Sequence, residues 1–306
     1  MKTFLPDRWV TILQAGLLGV AAFLIYVMFH WYGNTTEVEN FGHSAFRWMV
    51  VLWKSARIFG GSTNWLGWFI PFISIGLILM RRREIASLPK SVWWPGLLLV
   101  ALAVAAHWAG ARAQQTRLSL LALILLLWSI PLFLYGWQTA KRLMFPVGLL
   151  VFCVPLNFLD AITFPMRILA VQIAHLLLNG LGIEAIRAGS LLVLGGDPPL
   201  RLDGSDPASG LGILLSLTAL TMIALSFLRI VWWKKGVMLI LLPLLMILGN
   251  AFRFVVLALA QTALSPESTL SLYKNHSTLL VIGLTATFMV LLHVGLAKIP
   301  PGRKPT

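Results

Sequence analysis

The chain has little of what soluble proteins depend on. Only 11% of its 306 residues are charged, with 10 Asp or Glu against 24 Lys or Arg. Cysteine occurs once, at Cys153, which excludes an internal disulfide; within the apolar run GLLVFCVPL its thiol reads as a packing group. No group of His, Asp and Glu shows metal-ligand spacing, so neither a metal nor a cofactor is expected. Internal repeats and low-complexity tracts are missing, and residues 1–306 read as a single transmembrane domain. The first apolar stretch has no small-residue cleavage site, so no removable signal peptide is expected.

What the chain does have is hydrophobic sequence. Apolar residues make up 58% of it, the mean hydropathy is +0.86, and several runs are long enough to cross a bilayer. The class implied is an all-α polytopic membrane protein. A formal charge of +14 would suit nucleic acid, but Lys and Arg sit in short clusters between apolar runs and not along one face. They are topology signals, and no nucleic-acid partner is expected.

About eight spans follow, with both termini cytoplasmic by the positive-inside rule. They are Val10–Trp31, Asn64–Met80 ending at Arg81 to Arg83, Val92–Gly110, Leu118–Trp137 returning to Lys141 and Arg142, and Leu143–Leu159. A sixth runs from position 208 to Arg229, a seventh is Gly236–Thr262, and an eighth is His276–Ala297 ahead of Lys298, Arg303 and Lys304. Between the first two, Phe46–Phe59 (FRWMVVLWKSARIF) alternates aromatics with basic residues and reads as an interfacial amphipathic helix of unassigned purpose. Residues 160–207 read as an outer, periplasmic cap. Phe164–Gly182 is expected as a surface helix, and SLLVLGGDPPLRLDG as a short β-hairpin around GGDP.

Three polar intrusions interrupt this pattern. In DGSDPASGLGILLSL, Asp203 to Leu217, a polar loop passes directly into an apolar helix; NAFR holds Asn250 and Arg253; KNHS holds Asn275 and His276. The expected topology brings position 208, Arg253 and His276 to one depth in the outer half of the membrane. An Arg within a span costs roughly 2.5–3.5 kcal/mol on insertion scales and normally faces protein or a water-filled cavity. Asn250, one turn earlier on the same face, is placed to orient it. Plainer readings stand beside these: Arg253 snorkelling to lipid phosphates, His276 as an interfacial helix start, Ser209 as an N-cap. His175 on the outer helix is the second choice of histidine.

Together these motifs resemble the exosortase and archaeosortase transmembrane transpeptidases, over roughly Pro155 to Gly295. The resemblance rests on LNGLGIEAIRAGSLLVL, on Ala208-Ser209-Gly210-Leu211 where the family has Cys-Ser-Gly, on Asn250-Ala251-Phe252-Arg253, and on His276 followed by a helix bearing Gly283. It implies a bacterial inner-membrane cysteine peptidase acting on membrane-anchored substrates with a C-terminal sorting signal, often Pro-Glu-Pro, then a transmembrane helix and a basic tail. In that family's chemistry a Cys attacks, His276 serves as base and then acid, and Arg253 stabilises the oxyanion, with Ser209, Gly210 and Asn250 in support. Ala208 departs from the pattern, since a methyl group cannot attack. The chain then reads as an inactive form with the Cys replaced, as a natural non-catalytic binder of sorting signals, or as one in which Ser209 has taken over. A transporter or flippase of anionic solute or lipid is the rival from another class.

Overall fold

A computed structural model describes residues 7–54, 65–155, 160–195, 199–204 and 211–299. Their backbone is mostly helical, as a chain must be where hydrocarbon offers no partner for N–H and C=O groups. Helices α6 (Pro95–Arg112), α7 (Thr116–Tyr135), α11 (Trp232–Ala263) and α12 (Pro266–Ala297) are long and apolar enough to cross a bilayer. Shorter apolar helical stretches lie at Gly16–Trp31 within α1 (Asp7–Trp31), at α4 (Ile70–Met80), and at Ile213–Phe227 within α10 (Leu211–Phe227). The protein is therefore a multi-pass membrane protein.

The chain forms two compact units. The first comprises residues 1–55 and 64–156; the second comprises 157–306 together with 56–63. In the first, α2 (Val38–Phe41), α3 (Ala45–Lys54), α5 (Arg82–Ser87) and α8 (Trp137–Gly148) accompany α1, α4, α6 and α7. Its core joins Phe29, Ala45, Trp48, Ala103, Leu120 and Leu126. The amphipathic segment forms α3 up to Lys54, and residues 55–59 lie outside the described residues. Trp48 and Trp53 point inward, and the Trp53 indole donates to the Cys153 carbonyl at 2.8 Å. The run expected as a fifth span is built from two pieces. Helix α8 starts early, at Trp137, and gives way to a 3-10 turn at Leu149–Cys153. Pro146 and Pro155 each remove a backbone donor there, which disfavours one continuous α-helix.

The second unit holds α9 (Asp160–Gly180), a three-stranded sheet, and α10 to α12. Strands β1 (Ala185–Ala188), β2 (Leu191–Leu194) and β3 (Leu200–Asp203) run antiparallel in that order. The expected hairpin is the β2–β3 pair, and β1 extends it. Ala185, Leu192, Leu194 and Leu202 face a core shared with Ala174 and Leu178 of α9 and Phe254 and Leu257 of α11. Alternation then sends Arg201 and Asp203 to the other face.

The hydrogen bonds at the ends of the sheet fix its parity. Gly204 N–H donates to Ser190 O at 2.7 Å, so residues 200, 202 and 204 bond towards β2, while 201 and 203 turn their backbone groups away. On the far edge Gly195 N–H reaches Glu184 O, which turns Ala185 outward, and the Asn179 side chain engages both its N–H and its C=O. Gly204 has no alternative here: a Cβ would collide with Val171 and with Ser190 O.

A second core of Ile213, Leu217, Met238, Leu242, Met246 and Val281 holds α10, α11 and α12 together. At the start of α11 two lysines donate to carbonyls at or just beyond the C-terminal ends of other helices. Lys234 Nζ donates to Leu296 O at 2.6 Å and Ile299 O at 2.8 Å, and Lys235 Nζ to Leu225 O at 2.5 Å. Lys234 is buried, so Lys234→Met should destabilise the protein by about 1.5–3 kcal/mol, the usual worth of a hydrogen bond to a charged group. A lowered thermal midpoint in detergent would show this. An unchanged midpoint would remove the ammonium from the packing account.

Candidate functional site

The second unit gathers the polar groups that the sequence singled out in α11. Arg253 is 0% exposed, the largest fully buried side chain among the described residues, and Asn250 one turn earlier is 3% exposed. The Arg253 guanidinium carbon lies 4.4 Å from the Phe254 ring centroid and 6.0 Å from that of Tyr273 on α12. A guanidinium beside aromatic faces keeps its charge at a smaller cost than one in bare hydrocarbon.

Tyr273 links this charge to the sheet. Its hydroxyl accepts a hydrogen bond from Asp203 N–H at 3.2 Å, and the Asp203 carboxylate in turn accepts one from the Ser190 hydroxyl at 3.2 Å. Asp203, Gly204, Arg253 and Tyr273 each make at least one further hydrogen-bond, ring or electrostatic contact. The end of β3, the entry to the DGSDPASG loop, is thus fastened one aromatic ring away from Arg253.

Helices α11 and α12 come together tightly just below. A Cβ on Gly249 would collide with the Thr285 side chain, so the two backbones approach at the level of Asn250. Buried Asn250 Oδ1, Ser216 Oγ on α10, and Ser277 Oγ and Thr285 Oγ1 on α12 have no hydrogen-bond partner among the described residues. Burying such groups without a bond is costly, of the order of 1–3 kcal/mol each. These unpaired polar atoms, on three helices of one unit, are points where the fold gives up stability.

His276 stands differently from the expectation. Helix α12 begins not at His276 but at Pro266, where the Ser265 hydroxyl accepts from Ser268 N–H at 3.3 Å as an N-cap. The imidazole therefore sits about three turns into the helix, on its exposed side, one turn beyond Tyr273. It makes no hydrogen bond among the described residues. Asn275 beside it donates to Ser271 Oγ at 3.1 Å. His175 is 3.1 Å from the Asn179 amide that bonds the β1 backbone at Ala185, which gives it a structural place. Ala208, Ser209 and Gly210 lie outside the described residues.

Sequence reasoning missed Tyr273, Ser216, Ser277 and Thr285. Tyr273 carries the one signal that was available, an amphipathic ring three residues before a singled-out His. The hydroxyls look like ordinary small residues in apolar helices. The described residues contain no group of three or more His, Cys, Asp and Glu able to hold a metal.

This is a multi-pass membrane protein in which Arg253, on a helix long and apolar enough to cross a bilayer, is enclosed by protein. The family model of the transmembrane exosortase matches residues 53–292, most of the chain, and the chain belongs to that family, one of transpeptidases and cysteine proteases. No curated protein and no solved structure matches it.

Proposed function

We propose that the chain has the architecture of a membrane-embedded cysteine transpeptidase that recognises and cleaves C-terminal sorting signals. In this chain Ala208 occupies the nucleophile position, so it captures such substrates without cutting them. The observation that carries the reading is Arg253. A fully buried guanidinium on a helix matched by the exosortase model is held beside Tyr273, which fastens the start of the very loop containing position 208.

In this mechanism a thiolate at 208 attacks the scissile carbonyl, and Arg253 meets the negative charge that develops on its oxygen. His276 takes the thiol proton and returns it to the leaving amine. Its exposure on α12 suits a base that must reach an incoming peptide. Asn250, Ser209 and Gly210 position these groups. The substrate's own membrane helix enters laterally from lipid, and the scissile segment meets the site at the outer side of the bacterial inner membrane, with both termini of the enzyme cytoplasmic.

The test uses a membrane-anchored reporter carrying Pro-Glu-Pro, an apolar span and a basic tail. Co-expressed with the Ala208→Cys protein it should be shortened at the signal, and with the present chain it should stay intact. Transport of an anionic solute by vesicles containing the Ala208→Cys protein, with the reporter uncut, would contradict the reading.

A further inference from the structure

Each edge strand of the three-stranded sheet leaves one outward backbone pair without a hydrogen bond among the described residues, Arg187 on β1 and Arg201 on β3, and only the β3 pair lies along a groove that leads to Tyr273. At β1 the outward groups of Ala185 are both engaged by Asn179. At β3 the outward N–H of Asp203 goes to Tyr273. Between Pro199, which has no N–H, and Asp203 stands Arg201. Its N–H and C=O face away from β2 by the parity above, and neither makes a hydrogen bond among the described residues. A strand edge of this kind is a template for another chain. This one offers a single donor and acceptor pair.

A groove of about 340 Å³ runs along that edge, lined by Pro199, Leu200, Arg201, Gln261, Glu267 and Leu270. Its far wall comes from the end of α11 and the first turns of α12, with Gln261 tied to Gly195 O at 3.0 Å. The strand also leads to the candidate site. Asp203, two residues or about 6.6 Å beyond Arg201 at strand rise, is the residue bonded to Tyr273 beside Arg253.

We propose that the edge of β3 at Arg201 is the docking subsite for an extended segment of the peptide substrate, added as a short fourth strand. The inference rests on the transpeptidase reading and says where and how its substrate is held. The subsite suits a segment with one backbone N–H between two prolines. The central residue exchanges both its hydrogen bonds with Arg201, and the flanking prolines bring no donor that the edge would leave unpaired. Residues directly opposite across an antiparallel pair project to the same face. The Arg201 side chain is exposed on the face opposite buried Leu202, so an acidic central residue there meets its guanidinium. A Pro-acid-Pro segment satisfies both conditions at once.

The experiment uses the present chain, which should hold the substrate without cutting it. The protein, with a benzophenone amino acid replacing Leu270, is irradiated in membranes with the Pro-Glu-Pro reporter. A cross-link is expected, weaker by about tenfold for a reporter with Pro-Arg-Pro. Arg201→Glu should reverse that preference, capturing the Pro-Arg-Pro reporter and losing the Pro-Glu-Pro one. Arg201→Pro removes only the outward N–H, which β2 does not use, and should lower capture of the Pro-Glu-Pro reporter several-fold below Arg201→Ala. Absence of cross-linking, cross-linking indifferent to the central residue, or an unchanged preference in Arg201→Glu would each overturn the proposal. Cleavage by the Ala208→Cys protein that ignores all the Arg201 changes removes the docking subsite and leaves the transpeptidase reading standing. Charge-swapped capture without any cleavage by the Ala208→Cys protein does the reverse.

Discussion

Ala208→Cys should turn a chain with no measurable cleavage into one that shortens a sorting-signal reporter. The argument is chemical. Amide cleavage by covalent catalysis needs a nucleophile, and Ala208 supplies none. Arg253 and Asn250 remain in place on α11, and Tyr273 still holds the end of β3. On the proposed reading a thiol at 208 lies near the buried Arg253 guanidinium, whose positive charge favours the thiolate. Ala208→Ser should give far less, because an unactivated hydroxyl is the weaker nucleophile. Equal cleavage from both variants, or from the unaltered chain, would mean that another residue attacks.

Arg253→Ala in the Ala208→Cys background should reduce cleavage by about 10²–10³-fold, the usual loss when one oxyanion donor is removed. The reduction should appear in kcat, because the charge it stabilises exists only in the transition state. Arg253→Lys should recover little, since an ammonium lacks the planar fork that lies against the Tyr273 and Phe254 rings. Removing a buried guanidinium also opens a cavity, so capture of the reporter is measured alongside cleavage. Capture kept with cleavage lost assigns Arg253 to the chemistry. Loss of both in proportion would assign it to the fold.

The helices expected at 92–110, 118–137 and 236–262 correspond to α6, α7 and α11, because long Leu-, Ile- and Ala-rich runs leave the backbone no other solution in lipid. The early start of α12 was less legible. Residues 266–275 include Glu267, Lys274 and Asn275 and fail as a hydrophobic run, although Ser265 followed by Pro266 is an N-terminal helix signal. Hydropathy was read where capping held the information. Strand β1 escaped for a different reason: AIRA is four residues long, and only pairing with β2 makes it a strand.

The candidate site was legible in part. An Arg and an Asn one turn apart in an apolar helix stand out because lipid makes them costly, and both are buried in protein. The partner that fastens Arg253 to the sheet did not stand out. Tyr273 acts through its ring on one side and its hydroxyl on the other, and both contacts come from elements distant in sequence. Pairing between α11, α12 and β3 is a tertiary fact with no local pattern.

The most direct test of the account is the intact mass of the Ala208→Cys protein, quenched in acid while it turns over the membrane-anchored reporter. The account predicts a fraction of enzyme heavier by the N-terminal part of the reporter, joined at position 208 and released by hydroxylamine, and lost when His276→Ala removes the group that takes the thiol proton. Reporter cleavage with no such adduct, or an adduct at any other residue, would contradict it.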